Sequence, residues 1–526
     1  MNENHYQNQI DDGDEVVLNE HEEQRSFLST TAPKHLLIFN ALLAVVYFLI
    51  ITFAFPRGNT ILFFLLIFGE VFHIWQVLTY LYTVWDVTYS VPKKAHTAPG
   101  VDVFITITGE PVDILETTAR AALNMRYPNF AVYFLNDGYV AKKDAWQEPE
   151  RLAKKLGVTC ITRKTPGGAK AGNVNHALSV TKNPFVVVFD VDHVPHEDFL
   201  EKTMSYFADP RMAFVQTPQY YKNHELNVVT KASWEQQELF FGPICRGKNR
   251  LNATTMCGTN MVIRRTALEE VGGMCEDSIA EDFITGLLMH GRGWKSYYHS
   301  EVLAEGLAPE DFLSYYKQQF RWARGGLDVI FTYNVLFRDG LTLAQRIQYL
   351  SSVSYWFSGV VIVIDASMPL VYFFTGAVPL VTSTLLLAMV FLPYIFMTLY
   401  TLQRTCNFNF TFRSLAFSMA GFIIHIKAVA TALVRAKSSF SVTPKTGISG
   451  NFMGLVRPHI AYIAFSVVGI VAAFAREGPS ASLIANGAWA ILNSVVFFQF
   501  IRAANPNPSW QDLSTSTKTS VSPLHP

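Results

Sequence analysis

Apolar positions along this chain follow two habits: long unbroken runs towards both ends, and short runs between them. Leu36–Phe55 and Ile61–Trp85 are of the long kind, each sufficient to cross a hydrocarbon core as a helix, with Pro56-Arg-Gly-Asn59 as the turn. The long habit returns at Leu350–Phe374, Val378–Leu402, Ile460–Ala475 and Ala481–Ile501, which predicts six spans, two before the central region and four after. Phe412–Val434 is also apolar. Its Arg413, Ser414, Ser418, His425 and Lys427, with Arg435 just beyond, fall within roughly half of a helix circumference, which predicts a helix lying in the inner interface. Glu70, His73 and Asp365 sit inside spans and read as polar packing contacts.

Between residue 101 and about 300 the habit is different. Strands at Val101–Thr108, Ala131–Asn136, Val158–Arg163 and Phe185–Asp190 alternate with helices at Asp113–Asn124, Glu150–Leu156 and 171–181, and Met261–Arg264 adds a strand. Such alternation predicts parallel strands joined by right-handed crossovers. No Gly-x-Gly-x-x-Gly follows the first strand, so a dinucleotide site of the Rossmann kind is excluded. From Glu310 to about Arg346 the pattern is helical again. The divisions expected are a disordered cytoplasmic tail (1–34), a transmembrane hairpin (35–86), the α/β domain (95–309), interfacial helices (310–347), a hairpin (348–403), an interfacial helix and loop (411–450), a hairpin (456–502) and a disordered tail (503–526).

Composition sharpens this. Half of the 526 residues are hydrophobic and only 16% charged, which makes the lipid bilayer a partner. Lys+Arg and Asp+Glu are both 42, so no global basic field argues for nucleic acid. The five cysteines show neither paired nor zinc-like spacing and read as reduced thiols. Arg25, Lys34, Lys93 and Lys94 flank the first hairpin and place both of its ends, and the α/β domain, on the cytoplasmic side of a multi-pass plasma-membrane protein.

The chemistry gathers where strands end, since ligands of open α/β sheets bind beyond the carboxyl ends. Phe185–Asp190 closes on Asp190-Val-Asp192, where strand alternation would aim two hard carboxylates at one spot, suited to Mg²⁺ or Mn²⁺ and through it to a diphosphate; a helix cap or Asx turn is the bland alternative. Thr106 to Glu110 follows the first strand and Asn136-Asp137-Gly138 the second, where a base and ribose could be held. Pro166-Gly-Gly-Ala-Lys170 lets backbone approach a ligand and offers one cation for phosphate, without the Ser or Thr of a Walker loop. Cys257-Gly258-Thr259-Asn260 leads into the Met261 strand. Glu281 and Asp282 open a helix, where the dipole favours acids, and either could deprotonate an attacking sugar hydroxyl. Gln318-Gln-Phe-Arg321-Trp322 combines an arginine fork for pyrophosphate with an aromatic face for a sugar ring.

Taken together, Asp137, Asp190-Val-Asp192, Glu281-Asp282 and Gln318-x-x-Arg321-Trp322 resemble the D, DxD, ED, QxxRW series of processive family-2 glycosyltransferases. Ala169-Lys-Ala-Gly-Asn173, Val187 to Pro195, Val215-Gln-Thr-Pro218, Gly291-Arg-Gly-Trp-Lys295 and Phe440-Ser-Val-Thr443-Pro-Lys445 resemble the catalytic subunit of bacterial cellulose synthase. The resemblance implies an α/β GT-A-type cytoplasmic domain, mostly parallel, in an α-helical transmembrane channel of about six spans. It implies a membrane-embedded, inverting, processive enzyme that polymerises glucose from UDP-glucose into a β-glucan and moves it across the membrane. Thr106, Glu110 and Asp137 would hold the nucleoside, with Lys170 and Cys257 beside the donor. Asp190 and Asp192 would hold the metal, and Asp282 would be the base. Gln318, Arg321 and Trp322 would meet the acceptor, and Phe440, Thr443 and Lys445 would belong to a gating loop. The growing polysaccharide is a partner; an accessory export subunit or a second copy stays open. A β-1,3- or mixed-linkage glucan, a mannan, a non-processive lipid glycosyltransferase, and a transporter or receptor with a nucleotide-sensing domain are the alternatives.

Overall fold

The computed structural model describes residues 31–92, 98–436 and 450–505. Phe440, Thr443 and Lys445 lie outside the described residues, as do Arg25, Lys93 and Lys94.

The first described elements are a helical hairpin, α1 (Lys34–Leu49, continued by a wider turn to Ala54) and α2 (Thr60–Thr83). Asn59 caps α2 by accepting from the amides of Ile61 and Leu62 at 3.1 Å. The α/β region follows: β1 (Val101–Ile107), β2 (Phe130–Asn136), β3 (Thr159–Thr162), α3 (Ala169–Val180), β4 (Phe185–Asp190), β5 (Val194–Pro195), β6 (Met212–Gln216) and β7 (Tyr220–Tyr221). Then come α4 (Val228–Leu239), β8 (Met261–Arg264), α5 (Glu281–Gly291), β9 (Lys295–Tyr298), β10 (Ala304–Gly306) and α6 (Phe312–Phe331). After them run α7 (Leu343–Ser354), α8 (Ser358–Thr375), α9 (Thr384–Thr405), α10 (Phe412–Ala420), α11 (Phe422–Leu433), α12 (Arg457–Glu477) and α13 (Ala481–Ala504).

Seven strands form one sheet in the order β3-β2-β1-β4-β8-β6-β9. β3, β2, β1 and β4 are parallel, whereas β8 runs antiparallel to both β4 and β6. Every residue of β1 is buried, as expected of a strand covered on both faces. A second sheet, β5-β10-β7, joins the turn after Asp192 to Tyr220–Tyr221 and Gly306.

Among the described residues seven helical segments are long and apolar enough to cross a membrane, and the one beyond the six expected is Phe412–Leu433. That segment bends at Gly421, and 56% of its apolar window is buried inside the protein, against 33% or less for the other six. Its polar half is satisfied by protein. Arg413 pairs with Glu235 at 3.2 Å, Gln236 donates to Ser418 at 3.1 Å, His425 meets Ser358 at 3.0 Å, and the Lys427 ammonium stands 5.3 Å from the Phe320 ring. The polar stripe expected at lipid headgroups therefore seats this segment against α4, α6 and α8.

Candidate active site

Three strand ends do come together at one edge of the sheet. The Thr106 hydroxyl lies 3.3 Å from Asp190 Oδ1, and the Lys170 ammonium donates to that same carboxylate oxygen and, at 2.7 Å, to the carbonyl of Gly258. β4 ends at Asp190, so Asp192 is brought round by a turn and not by strand alternation, as the sequence argument supposed. Asp192 is fully buried, and its Oδ2 accepts from the amide of Leu307 at 3.3 Å. Its neighbour His193 packs against Gly306, where any Cβ would stand 2.5 Å from Nε2.

At the end of β2, Asp137 is buried and held by a fork: Arg163 Nε and one terminal nitrogen donate to its two oxygens at 2.8 and 2.7 Å. The same guanidinium donates to the carbonyls of Gly167 and Ala169, so Arg163 ties Asp137 to the glycine loop that launches Lys170. Gly167 (φ 132°), Gly168 (φ 62°) and Ala169 (φ 44°) all have left-handed backbone there. Glu110 folds back on its own turn, accepting from the Thr108 amide at 2.6 Å. Beside it a cavity of about 240 Å³ is lined by Gly109, Asn136, Lys143 and Trp146 among others.

The acidic pair opens α5. Burial pushes Glu281 up to about 8, with the charge of Asp282 adding to the rise; burial also raises Asp282, although the Phe283 amide donates to it at 2.7 Å. Gly258 (φ 78°) lies so close that a Cβ on it would stand 2.6 Å from Asp282 Oδ2. Cys257 is half-buried and desolvation pushes its thiol up; its amide donates to Gln216 Oε1 at 2.8 Å.

On α6 the positions of Gln318, Arg321, Trp322 and Gly325 share one face. Gly325 lets that face reach the acidic pair, since a Cβ there would fall 2.6 Å from the Cβ of Ala280. Arg321 is half-buried, within electrostatic reach of Glu281, Asp190, Asp282 and Tyr221; desolvation lowers its proton affinity, and the three carboxylates oppose that. Tyr221 in turn feels the charge of Asp192 and has Gln318 beside it, and its hydroxyl accepts from Gln237 at 3.5 Å. Lys170 completes the set, its proton affinity raised by Asp190, Glu281 and Asp282 against the cost of burial. The acids, the two cations, Gln318 and Tyr221 are thus one electrostatic cluster assembled from segments far apart in sequence.

Arg163, Tyr221, Gly258 and Gly325 were not singled out from the sequence. Arg163 stood at a strand end ahead of Pro-Gly-Gly, the same kind of position that drew attention to Asp137. Nothing local marked Tyr221. The described residues contain no group of three or more His, Cys, Asp or Glu able to hold a metal, so protein would supply two hard oxygens from Asp190 and Asp192 and no complete cage.

Residues 99–325 match the model of glycosyltransferase like family 2, and residues 269–503 match that of cellulose synthase. Putative cellulose synthase 2 of Komagataeibacter xylinus is 31% identical over 456 residues, which covers 82% of this chain and 30% of the relative. The cellulose synthase catalytic subunit (UDP-forming) of Pseudomonas fluorescens strain SBW25 is 32% identical over 409 residues, 75% of this chain and 54% of the relative. That of Xanthomonas axonopodis pv. citri strain 306 is 35% identical over 294 residues, 54% and 40% respectively. The chain therefore spans about a third to a half of the length of these relatives. The mostly parallel sheet with crossover helices is of the GT-A type, and the apolar helices make this a membrane protein. Residues 99–325 are thus similar to the glycosyltransferase like family 2, and residues 269–503 to the cellulose synthase family.

Proposed function

We propose that this protein is a processive, inverting glycosyltransferase that builds a β-glucan from UDP-glucose and passes it across the plasma membrane, with its α/β domain on the cytoplasmic side. The observation that carries the reading is the meeting of Lys170, Asp190, Glu281–Asp282 and Arg321 in one cluster. Such a cluster offers a proton acceptor and cations at one place, which glycosyl transfer from a nucleotide sugar needs.

Thr106, Glu110 and Asp137 hold the nucleoside in this reading, beside the cavity at the ends of β1 and β2. Asp282 accepts the proton of the attacking acceptor hydroxyl as the anomeric centre inverts. Burial raises its proton affinity, which makes it a stronger proton acceptor than an ordinary carboxylate. Arg321 and Lys170 offset the charge that grows on the departing UDP, and Trp322 with Gln318 supports the acceptor sugar. Cys257 borders the donor, and Phe440, Thr443 and Lys445 close over it. Asp190 and Asp192 have the hard-oxygen chemistry for Mg²⁺ or Mn²⁺, which when bound supplies positive charge to the diphosphate.

The test is polymerisation from UDP-glucose by the purified full chain in lipid. A long glucan digested by a linkage-specific β-glucanase is expected. A single-sugar glycolipid, or no transfer at all, would overturn the proposal; digestion by a β-1,3-glucanase or a mannanase would change the product.

A further inference from the structure

Lys248 is a buried cation for which the chemistry above has no use. It is 2% exposed, and its ammonium donates to the hydroxyls of Thr255 at 2.7 Å and Ser352 at 2.9 Å. Burial lowers its proton affinity, and the thiols of Cys245 and Cys257 oppose that. Both hydrogen-bond partners are neutral, so the charge is a cost to stability and not a source of it. Thr255 belongs to the α/β domain and Ser352 to α7, which makes this side chain a bridge.

α7 is bonded along two faces. Residues 345, 349 and 352 are four and three apart and share one face. Gln345 donates to the carbonyl of Asn252 at 2.8 Å, Tyr349 meets His290 of α5 at 2.8 Å, and Ser352 takes Lys248. The neighbouring face goes to α2. Gln348 and Thr83 are bonded through both amide atoms, at 2.9 and 3.0 Å. Ser351 donates to Thr79 at 3.0 Å, and Trp75 donates to Ser354 at 2.9 Å. The end of α2 also abuts the short helix Cys245–Asn249, since a Cβ on Gly247 would stand 2.2 Å from the carbonyl oxygen of Thr83.

From Lys248 the route to the acids is short. Residues 253–257 form neither helix nor strand, so side-chain contacts set their course. Met256 follows Thr255 and packs on α5, where a Cβ on Gly286 would lie 3.3 Å from the Met256 Cβ. Two residues on, Gly258 abuts Asp282 Oδ2 and gives its carbonyl to Lys170. A shift of Thr255 therefore moves the backbone against which the Asp282 carboxylate and the Lys170 ammonium are set.

We propose that Lys248 is a positioning residue for the transfer reaction: by tying Thr255 to Ser352 it sets the 253–258 turn, and with it the Asp282 carboxylate, from a helix that α2 holds in place. The membrane hairpin thereby acts on catalysis without touching substrate. This rests on the glycosyl-transfer reading above, in which Asp282 accepts the proton.

Lys248→Met keeps the length of the side chain and removes its charge and both bonds. The fold should survive, because an apolar group of similar volume in place of a buried charge is often neutral or stabilising. In the purified full chain in lipid, kcat with UDP-glucose should fall about tenfold to a hundredfold, as for a displacement of up to about 1 Å, with KM little changed. Hydrogen exchange of the peptide spanning 251–260 should speed by about tenfold, as two hydrogen bonds are lost, while β1 and β4 exchange as before. Ser352→Ala should cost less, and the double variant no more than Lys248→Met alone. Losses that multiply in the double variant overturn the proposal. So do a kcat equal to wild type, a rise in KM alone, or unchanged exchange at 251–260. If Lys248→Met does not fold, Ser352→Ala and Thr83→Val carry the cycle: each should lower kcat severalfold, and the pair no more than the larger single loss, whereas multiplied losses again overturn the tether. A wild-type protein that transfers no glucose overturns the enzyme reading, and the exchange at 251–260 then decides the tether by itself.

Discussion

The two ends of the large sheet both bury carboxylates, and they treat them in opposite ways. At the amino end, Asp102 is saturated: Arg265 donates to it at 2.8 Å, and the amide and side chain of Asn183 at 3.0 and 2.8 Å. At the carboxyl end, Glu281 and Asp282 lie side by side, share the field of Lys170 and Arg321, and hold protons more firmly than ordinary acids. A buried acid matched by a fork and amides secures the fold. One that is buried beside another acid is kept near its point of ionisation, which is where a proton acceptor has to be.

The largest effect should come from Asp282→Asn. Loss of a general base costs about 10²- to 10⁴-fold in turnover, with UDP binding by calorimetry retained. A variant with normal glucose transfer would remove the base from this end of the sheet. At the other end, Asp102→Ala leaves Arg265 without its carboxylate and should cost about 3–5 kcal/mol of stability. Thermal unfolding in detergent should show this, with transfer per folded molecule preserved. Should stability hold and activity fall, the two ends would not divide as argued.

Gly258→Ala sharpens the comparison further. The new Cβ needs a left-handed backbone and the space that Asp282 Oδ2 occupies, and displacement of about 1 Å is worth about 10²-fold in rate. Assays of initial rate against UDP-glucose should show kcat falling more than KM rises. The smallest effect is on pH. Both acids have folded-state affinities raised above the unfolded values, so this pair favours folding at low pH and loses that benefit as pH rises through the folded value, about 8 for Glu281. The rate should rise with pH as the base ionises. Glu281→Gln removes the neighbouring charge, so the acid limb should move to lower pH; an unmoved limb would mean Asp282 titrates independently.

Much of this was legible from local pattern. The runs ending in Asn136 and Asp190 are strands because short apolar segments bounded by turn residues bury both faces, and their polar last residues must lie at one edge. The antiparallel entry of β8 was not legible, since Met261–Arg264 has the same composition whichever way it runs. Asp192 was placed correctly at the strand end for the wrong reason, because the strand stops one pleat early. The long helix at Phe412–Leu433 shows the limit of periodicity. Its polar half is real, but whether that half meets headgroups or Glu235, Gln236 and Ser358 depends on what packs beside it.

What the sequence by itself determined is therefore the alternation of buried strands, the apolar helices, and the residue types that chemistry requires at strand and helix ends. These depend on neighbours within a few positions, through backbone geometry and the burial of apolar surface. Only the tertiary structure decided which charges neutralise one another. Arg163 takes Asp137, Lys170 takes Asp190, and His73 meets an aspartate from a helix nearly three hundred residues later. Coulomb interaction and hydrogen bonding act over a few ångströms of space, whatever the distance along the chain.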